Sequence, residues 1–194
     1  LSGAIGAIMM VKLGVPWIPS VLAMLAVGIT AGFVNGFVVA LLGVAPFIAT
    51  LAMMSIGFGF AQFILGGRTV LGLPPQHAVF GQGYLLGIPV CVIMLFAFVG
   101  VAHVVLRYTP FGRQLYAMGG NPEAAWLAGI PVRRNRLAVY SISGLMAGFA
   151  GLVSTSRIMC GQILIGQGLE LDAIAAAVIG GVSLFGGEGG VGGA

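Results

Sequence analysis

Long apolar runs separated by short polar or glycine-rich breaks form the dominant pattern of this chain. Four of them have no charged residue in their interior. Their lengths are close to or above the roughly 20 residues with which an α-helix crosses the hydrocarbon core of a bilayer. The pattern therefore predicts an all-α fold, a polytopic integral membrane helix bundle. The predicted complete spans are residues 17–42, 47–66, 88–107 and 137–156.

Two further apolar runs are too short to be complete spans. Residues 1–11 start without an initiator Met and are expected to be the end of a partial span, so the chain is interpreted as a fragment. Near the other end, residues 171–187 predict a broken or re-entrant half-helix, capped by Asp172 and interrupted by glycine pairs. Such a segment is tolerated at membrane depth only where it packs in protein or lines a cavity.

Composition agrees with a lipid environment. Hydrophobic residues make up 59% of the chain and charged residues only 6%, with a mean hydropathy of +1.14, whereas a soluble domain carries about 25% charged residues. The 34 glycines let helix backbones approach closely. Gly28, Gly32 and Gly36 recur every four residues and predict a close helix contact, and Gly144 and Gly148 repeat this spacing in the last complete span.

Charge is concentrated in one polar stretch, residues 107–136, which holds five of the eight basic residues. These residues are too few and too localised for a nucleic-acid stripe, so nucleic acid is not expected as a partner. The positive-inside rule instead places this stretch in the cytoplasm, together with the turn at 43–46. The turns on the opposite side of the membrane would then be residues 12–16, 67–87 and 157–170.

A short isolated helix is predicted inside the loop 108–136. Asn121 is a good N-cap, Pro122 suits the first helical position, and Glu123 lies where the helix dipole favours an anion. Gly129 supplies the stop, which gives a helix of about seven residues. So short a helix needs a surface to lie on. A separate capped helix is predicted just before it, over residues 109–118.

The same stretch resembles a known family. Glu123-Ala124-Ala125, followed after three residues by Gly129, resembles the EAA loop of ABC-importer permeases, the cytoplasmic coupling helix that docks on the ATPase subunit. Residues 112–129 are similar to the ribose-type monosaccharide permeases of the branched-chain amino acid/ribose permease superfamily, and so are residues 44–51 and 170–183. After Gly129 the usual ending of the motif is replaced by residues 139–142, which leaves the second half of the docking site unassigned.

This resemblance implies a permease that moves a monosaccharide, a ribose-like pentose or a related sugar, into the cytoplasm across a bacterial inner membrane. The implied partners are an ABC ATPase subunit, a periplasmic sugar-binding protein and a second permease subunit, identical or different, in contact with membrane lipid. The residues expected to dock the ATPase are Gly119, Gly120, Asn121, Pro122, Glu123, Ala124, Ala125 and Gly129.

Candidates for the translocation pathway are Asn35, Thr50 and Asp172. Asn35 lies beside the glycine-rich face of its span, where an amide either lines a pathway or forms an interhelical hydrogen bond. No catalytic residue, metal site or cofactor is predicted. His77 is expected to be solvated in its loop, and the spacing of the cysteines fits neither a disulfide framework nor a metal site.

Energy for transport is expected from a partner, because the sequence has no P-loop and is not expected to be an enzyme. The main alternative is a secondary transporter or channel for a small polar solute. In that case loop 108–136 would only connect two spans at the surface. The four acidic residues include no close pair inside a span, which argues against a proton-driven carrier. A purely structural membrane scaffold would have no need of polar residues such as Asn35, Gln62 and Ser141.

Overall fold

The computed structural model describes residues 1–183 and 186–192, and almost all of its regular structure is helical. The helices are α1 (Ser2–Val11), α2 (Trp17–Ala40), α3 (Pro46–Leu65), a 3-10 turn (Pro75–Ala78), α4 (Val79–Gln82), α5 (Val90–Tyr108), α6 (Pro110–Gly120), α7 (Pro122–Leu127), α8 (Val132–Ile158) and α9 (Leu169–Ile179). The strands are β1 (Val70–Leu71), β2 (Tyr84–Leu85), β3 (Ile88–Pro89) and β4 (Cys160–Gly161).

Within the described residues, four helices are long and apolar enough to cross a membrane: α2, α3, α5 and α8. This confirms the predicted membrane helix bundle. The largest difference in their boundaries is at α8, which begins at Val132 rather than at residue 137. Hydropathy marks where lipid begins, whereas arginine is a good helix former. The helix therefore continues beyond the apolar run through Arg133, Arg134 and Arg136.

The last helix, α9, is shorter than predicted and is capped differently. It begins at Leu169 after Gly168, so Asp172 lies within the first turn and is not the cap. Its C-terminal end is at Gly180–Gly181, where Gly181 has φ +82° and Val182 N–H donates to the Ala177 carbonyl at 3.0 Å. Eleven residues span about 16 Å at 1.5 Å per residue, about half of the hydrocarbon core. Of the predicted half-helix, residues 184 and 185 lie outside the described residues.

By internal contacts the chain divides into two units. Unit 1 comprises Leu1–Val92 and Arg136–Gly166. Its apolar core is centred on Met24, Leu65 and Leu152, each at most 2% exposed. Small residues of α1, notably Ala4 and Ala7, complete this core because they let α1 pack closely on α2 and α3.

Helices α2 and α8 meet along the predicted glycine face. A Cβ built on Gly28 would lie 2.9 Å from the Gly148 Cα, and one built on Gly36 would lie 3.2 Å from the Leu137 Cα. As the residue number rises along α2 it falls along α8, so the two helices are antiparallel. The close contact predicted for the glycines of α2 is confirmed, and its partner is α8.

The turns predicted to share one side of the membrane meet at one end of unit 1. Strands β1 and β4 pair antiparallel, with Val70 opposite Gly161. Trp17, directly after the 12–16 turn, contacts the Phe80 ring at a centroid distance of 6.1 Å. The 12–16 and 67–87 turns and the start of the 157–170 turn are therefore held together.

Unit 2 comprises Ile93–Asn135 and Gln167–Ala194. Helices α6 and α7 pack against each other within it. No residue of α5 is buried, and the Phe96 side chain is 70% exposed. An apolar helix with this degree of exposure needs lipid or another protein around it, because so large an apolar surface is unfavourable in water. Its length is close to that of a membrane span.

Candidate functional site

The short helix α7 is fixed by its own sequence at its N-terminal end. Asn121 Oδ1 accepts hydrogen bonds from the backbone N–H groups of Glu123 and Ala124, both at 3.0 Å. Pro122 occupies the first position, where no donor is needed. Asn121, Pro122 and Glu123 therefore have the local roles that the sequence predicted.

The C-terminal end of α7 is a Schellman motif. Ile130 N–H donates to the Ala125 carbonyl at 3.0 Å, and Gly129 N–H donates to the Trp126 carbonyl at 2.9 Å. Gly129 has φ +81°, and nothing lies within 4 Å of the position its Cβ would take. Glycine is therefore favoured here by the left-handed backbone and not by lack of space.

The two faces of α7 differ in exposure. Ala125 is 4% exposed, whereas Trp126 and Leu127 are 69% and 78% exposed. Glu123 and Ala124 lie on the exposed side as well. Of the predicted docking residues, Ala125 therefore packs inward and supports the helix from behind. Trp126 and Leu127 were not among the predicted docking residues, although a Trp directly after the Glu-Ala-Ala motif indicates an apolar contact surface.

Helix α6 lies behind α7 and is capped by Thr109, whose Oγ1 accepts from Gly112 N–H at 3.2 Å. Gly119 and Gly120, which follow the helix predicted over residues 109–118, are the last two residues of α6. A Cβ on Gly119 would collide with the backbone nitrogen of Gly187. This close approach explains glycine at position 119, where the short backbone-to-backbone distance excludes any side chain.

Two further contacts connect α6 to other parts of unit 2. Asn135, at the start of α8, donates through Nδ2 to Gln114 Oε1 at 2.9 Å, and its side chain is 7% exposed. The Tyr116 hydroxyl donates to the Gly189 carbonyl at 2.8 Å. Neither pair was predicted, because sequence separation gives no indication of which polar side chains meet.

The three pathway candidates have ordinary local surroundings. Asn35 is half-buried on α2 and Thr50 is exposed on α3. The Thr50 hydroxyl is within hydrogen-bonding distance of the Pro46 and Phe47 carbonyls of its own helix, at 3.0 and 3.1 Å. Asp172 is exposed in the first turn of α9. Asn35 and Thr50 belong to unit 1 and Asp172 to unit 2, and their role in the pathway stays a prediction.

His77 differs from its expected solvated state, since its side chain is 0% exposed in unit 1. Its Nε2 lies 3.2 Å from Thr155 Oγ1, and the Thr155 hydroxyl lies 2.9 Å from the Gly151 carbonyl. We assign the Thr155 proton to that carbonyl, which makes His77 the donor through Nε2–H. Its Nδ1 is buried with no hydrogen-bond partner among the described residues. Burial lowers the pKa of His77, because desolvation disfavours the charged imidazolium.

The backbone around His77 is fastened to the end of α8 as well. Ser156 Oγ donates to the His77 carbonyl and accepts from Gly81 N–H at 2.8 Å. Gln82 Nε2 donates to the Arg157 carbonyl at 2.9 Å. These contacts position the 67–87 loop on α8 and have no evident chemistry of their own. Among the described residues, no three His, Cys, Asp or Glu side chains cluster as a metal site would require.

Comparison with known proteins identifies the family. A family model described as "Branched-chain amino acid transport system / permease component" matches residues 1–188. The chain is 46% identical over 158 residues to the ribose import permease protein RbsC of Bacillus subtilis (strain 168), covering 80% of this chain and 49% of that protein. It is 40% identical over 193 residues to the RbsC protein of Haemophilus influenzae, covering 97% and 59%.

A third relative carries a different sugar name. The galactose/methyl galactoside import permease protein MglC of Haemophilus influenzae is 39% identical over 176 residues, covering 87% of this chain and 52% of that protein. The chain thus spans between 49% and 59% of the length of these relatives. No solved structure gives a significant match. Since the family model covers almost the whole chain and the described part has four helices that can cross a membrane, this multi-pass membrane chain belongs to the branched-chain amino acid transport system permease family.

Proposed function

We propose that this chain is the membrane-spanning permease subunit of an ATP-driven importer that takes a monosaccharide, such as ribose or a related sugar, into the bacterial cytoplasm. The relatives include ribose and galactose import permeases, which supports a sugar as the substrate. The chain would lie in the bacterial inner membrane beside a second permease subunit. A separate ATPase would bind on the cytoplasmic side and a periplasmic sugar-binding protein on the other.

The observation that carries this proposal is the construction of α7. Six residues would not hold a helix alone, yet Asn121 and the Gly129 Schellman motif satisfy its ends. The Trp126 and Leu127 side chains of this helix are exposed. The helix is part of the loop that holds most of the basic residues. Large apolar side chains exposed on a rigid polar loop are typical of a surface that another protein covers.

A mechanical connection leads from α7 into the membrane. Helix α7 packs on α6, and Gln114 of α6 is hydrogen-bonded to Asn135 at the start of α8. Because Asn135 lies in the first turn of α8, a displacement of α7 by an ATPase would be passed on to the start of that helix. Helices α8 and α2 meet through glycine backbones at Gly28 and Gly32, and a movement of α8 along this contact would support alternating access.

Hydrolysis of ATP is assigned to the partner subunit. The sequence contains no GxxxxGK[ST] motif, the loop that holds nucleotide phosphates in such ATPases. The chain would therefore act as a transport subunit that receives work from its neighbour. The sugar is delivered by the binding protein in this scheme, so this chain need not select it alone.

The test uses full-length permease reconstituted with its ATPase and binding protein in liposomes. Gly129→Arg should abolish ATP-dependent sugar uptake, because arginine disfavours φ +81° and adds a bulky charge to the docking face. Gly129→Asn is the matched control, since asparagine tolerates the left-handed conformation, and it should retain most uptake. Trp126→Ala should weaken ATPase binding by roughly 2 kcal/mol, about 30-fold, if Trp126 is an anchor.

Normal uptake by Gly129→Arg would rule out the docking role of α7. Uptake that continues without the ATPase would favour a secondary transporter or channel instead. In intact cells, a cysteine placed at Glu123 should react with a membrane-impermeant thiol reagent only after the membrane is opened. Labelling from outside would contradict the cytoplasmic position of the loop.

A further inference from the structure

A cavity in unit 2 lies where the end of α5 meets α6. Its volume is about 370 Å³. It is lined by His103, Leu106 and Arg107 of α5, Arg113 and Tyr116 of α6, and residues 190–192. Positions 103, 106 and 107 share one helical face, as do 113 and 116, because residues three and four apart are neighbours on a helix.

The charged side chains that line this cavity, Arg107 and Arg113, are both cationic. Arg107 and Arg113 supply two guanidinium groups, and the His103 ring adds a third hydrogen-bond donor. None of the described residues that line the cavity carries a carboxylate. The Tyr108 ring lies beside two of the donors, with its centroid 6.4 Å from that of the His103 ring and 5.9 Å from Arg107 Cζ. The site is therefore suited to an anion.

The cavity lies at one end of a helix that is long and apolar enough to cross a membrane. Helix α5 has 19 residues, about 28 Å at 1.5 Å per residue, close to the roughly 30 Å hydrocarbon core. His103 is five residues before its last residue, Tyr108, so it lies about 7.5 Å from that end of the span. Arg107 is one residue from the end. A headgroup at this depth would reach the cationic groups while its acyl chains stay beside the apolar surface of α5.

The remaining lining residues fit the same ligand. Leu106 and Val191 supply an apolar wall suited to the glycerol and the first methylene groups of a lipid. The Tyr116 hydroxyl, bound to the Gly189 carbonyl at 2.8 Å, holds the 189–192 segment against α6 and so keeps the cavity formed. Arginine binds phosphate through paired N–H groups.

We propose that this cavity binds an anionic phospholipid through its phosphate, with Arg107 and Arg113 as the principal cationic contacts. The ligand chemistry is that of a phosphate ester, and the position of the cavity at the end of a membrane span makes a lipid its source. Basic pockets beside transmembrane helices are known to hold such headgroups. The inference depends on the membrane location of the chain and not on the sugar or the ATPase.

The experiment is lipid titration of the full-length protein in mild detergent, followed by native mass spectrometry. The probes are phosphatidylglycerol, phosphatidylcholine with the same acyl chains, and soluble glycerol 3-phosphate. Phosphatidylglycerol should bind the wild type about tenfold or more tightly than either of the other two. The double variant R107Q/R113Q should lose that preference, because each cation near the membrane surface contributes about fivefold.

The matched control is R133Q/R134Q, which removes the same charge from exposed arginines outside the cavity and should keep the preference. The variant R107K/R113K, which keeps both charges, should retain part of it. Equal losses in R107Q/R113Q and R133Q/R134Q would overturn the site in favour of general surface attraction. Equal binding of phosphatidylcholine or glycerol 3-phosphate by the wild type would overturn an anionic lipid as the ligand. Size-exclusion profiles establish that each variant is folded.

Discussion

Gly32 of α2 and Gly144 of α8 touch through their backbones. A Cβ on Gly32 would lie 2.9 Å from the Gly144 Cα, and a Cβ on Gly144 would lie 2.7 Å from the Gly32 Cα. Lipid offers no hydrophobic force that drives helices together, so close backbone packing of this kind is a main source of their association. The two glycines thus fix the spacing of α2 and α8.

Gly32→Ala should destabilise the protein by about 1–3 kcal/mol, the range for overpacking a close-packed contact. Gly57→Ala is the control, since nothing lies within 4 Å of a Cβ at Gly57 and alanine favours a helix. Thermal unfolding in detergent should therefore show a lower midpoint for the first variant and an equal or higher one for the second. Equal midpoints for Gly32→Ala and the wild type would mean that the α2–α8 contact is looser than described.

The 67–87 loop should lose stability in acid through His77. Burial lowers the pKa of His77 in the folded protein, while the unfolded chain keeps a value of about 6.5. The unfolded state then binds the proton more readily, so the stability contributed by neutral His77 is complete above about pH 6.5 and decreases as the pH falls below it. Hydrogen exchange of the loop amides measured from pH 7.5 to 5, corrected for intrinsic exchange, should show this loss.

The matched variant for this prediction is His77→Leu, which removes the titrating group and should make the pH profile of the loop flat. The neighbouring Arg157 contacts the loop through its backbone carbonyl, which is not a titratable group. A wild-type profile already flat between pH 7.5 and 5 would contradict a buried, neutral His77.

Asn121→Ala should loosen α7 by about 1 kcal/mol, the typical value of an N-cap, because it removes the acceptor for the N–H groups of Glu123 and Ala124. Amide exchange at those two positions should be about fivefold faster. Asn121→Asp keeps an acceptor oxygen and should exchange like the wild type. Unchanged exchange in the alanine variant would show that packing alone orders α7.

Asn135 and Gln114 should be energetically coupled. Removing either partner leaves the other amide without its hydrogen bond, a loss of about 1–2 kcal/mol for a group that is mostly buried. Asn135→Ala and Gln114→Ala should together destabilise the protein by less than the sum of their separate effects. If the pair transmits motion from α6 to α8, the Asn135 variant should bind the ATPase normally yet import less sugar for each ATP hydrolysed.

The local structure of the candidate site was readable from neighbouring residues. Caps act over a few positions, so Asn121 and Gly129 marked the limits of α7 before any fold was known. The burial of Ala125 was not readable, because it depends on α6 lying behind the helix. The environment of His77 was mispredicted for the same reason: a loop histidine is ordinarily solvated, and here Thr155 and Ser156, on a distant part of the chain, enclose it.

The sequence by itself determined that this protein lies in a lipid bilayer and which of its segments form the spanning helices. Apolar runs of sufficient length leave no alternative to helices in lipid, where every backbone group must find a partner within its own segment. The tertiary structure decided which helices are in contact. Gly28, Gly32 and Gly36 predicted a close helix contact, but only the packed structure identified α8 as the partner. A glycine face shows that another helix can pack closely against it. It does not specify which helix, because the choice of partner depends on the shapes of all the helices in the unit.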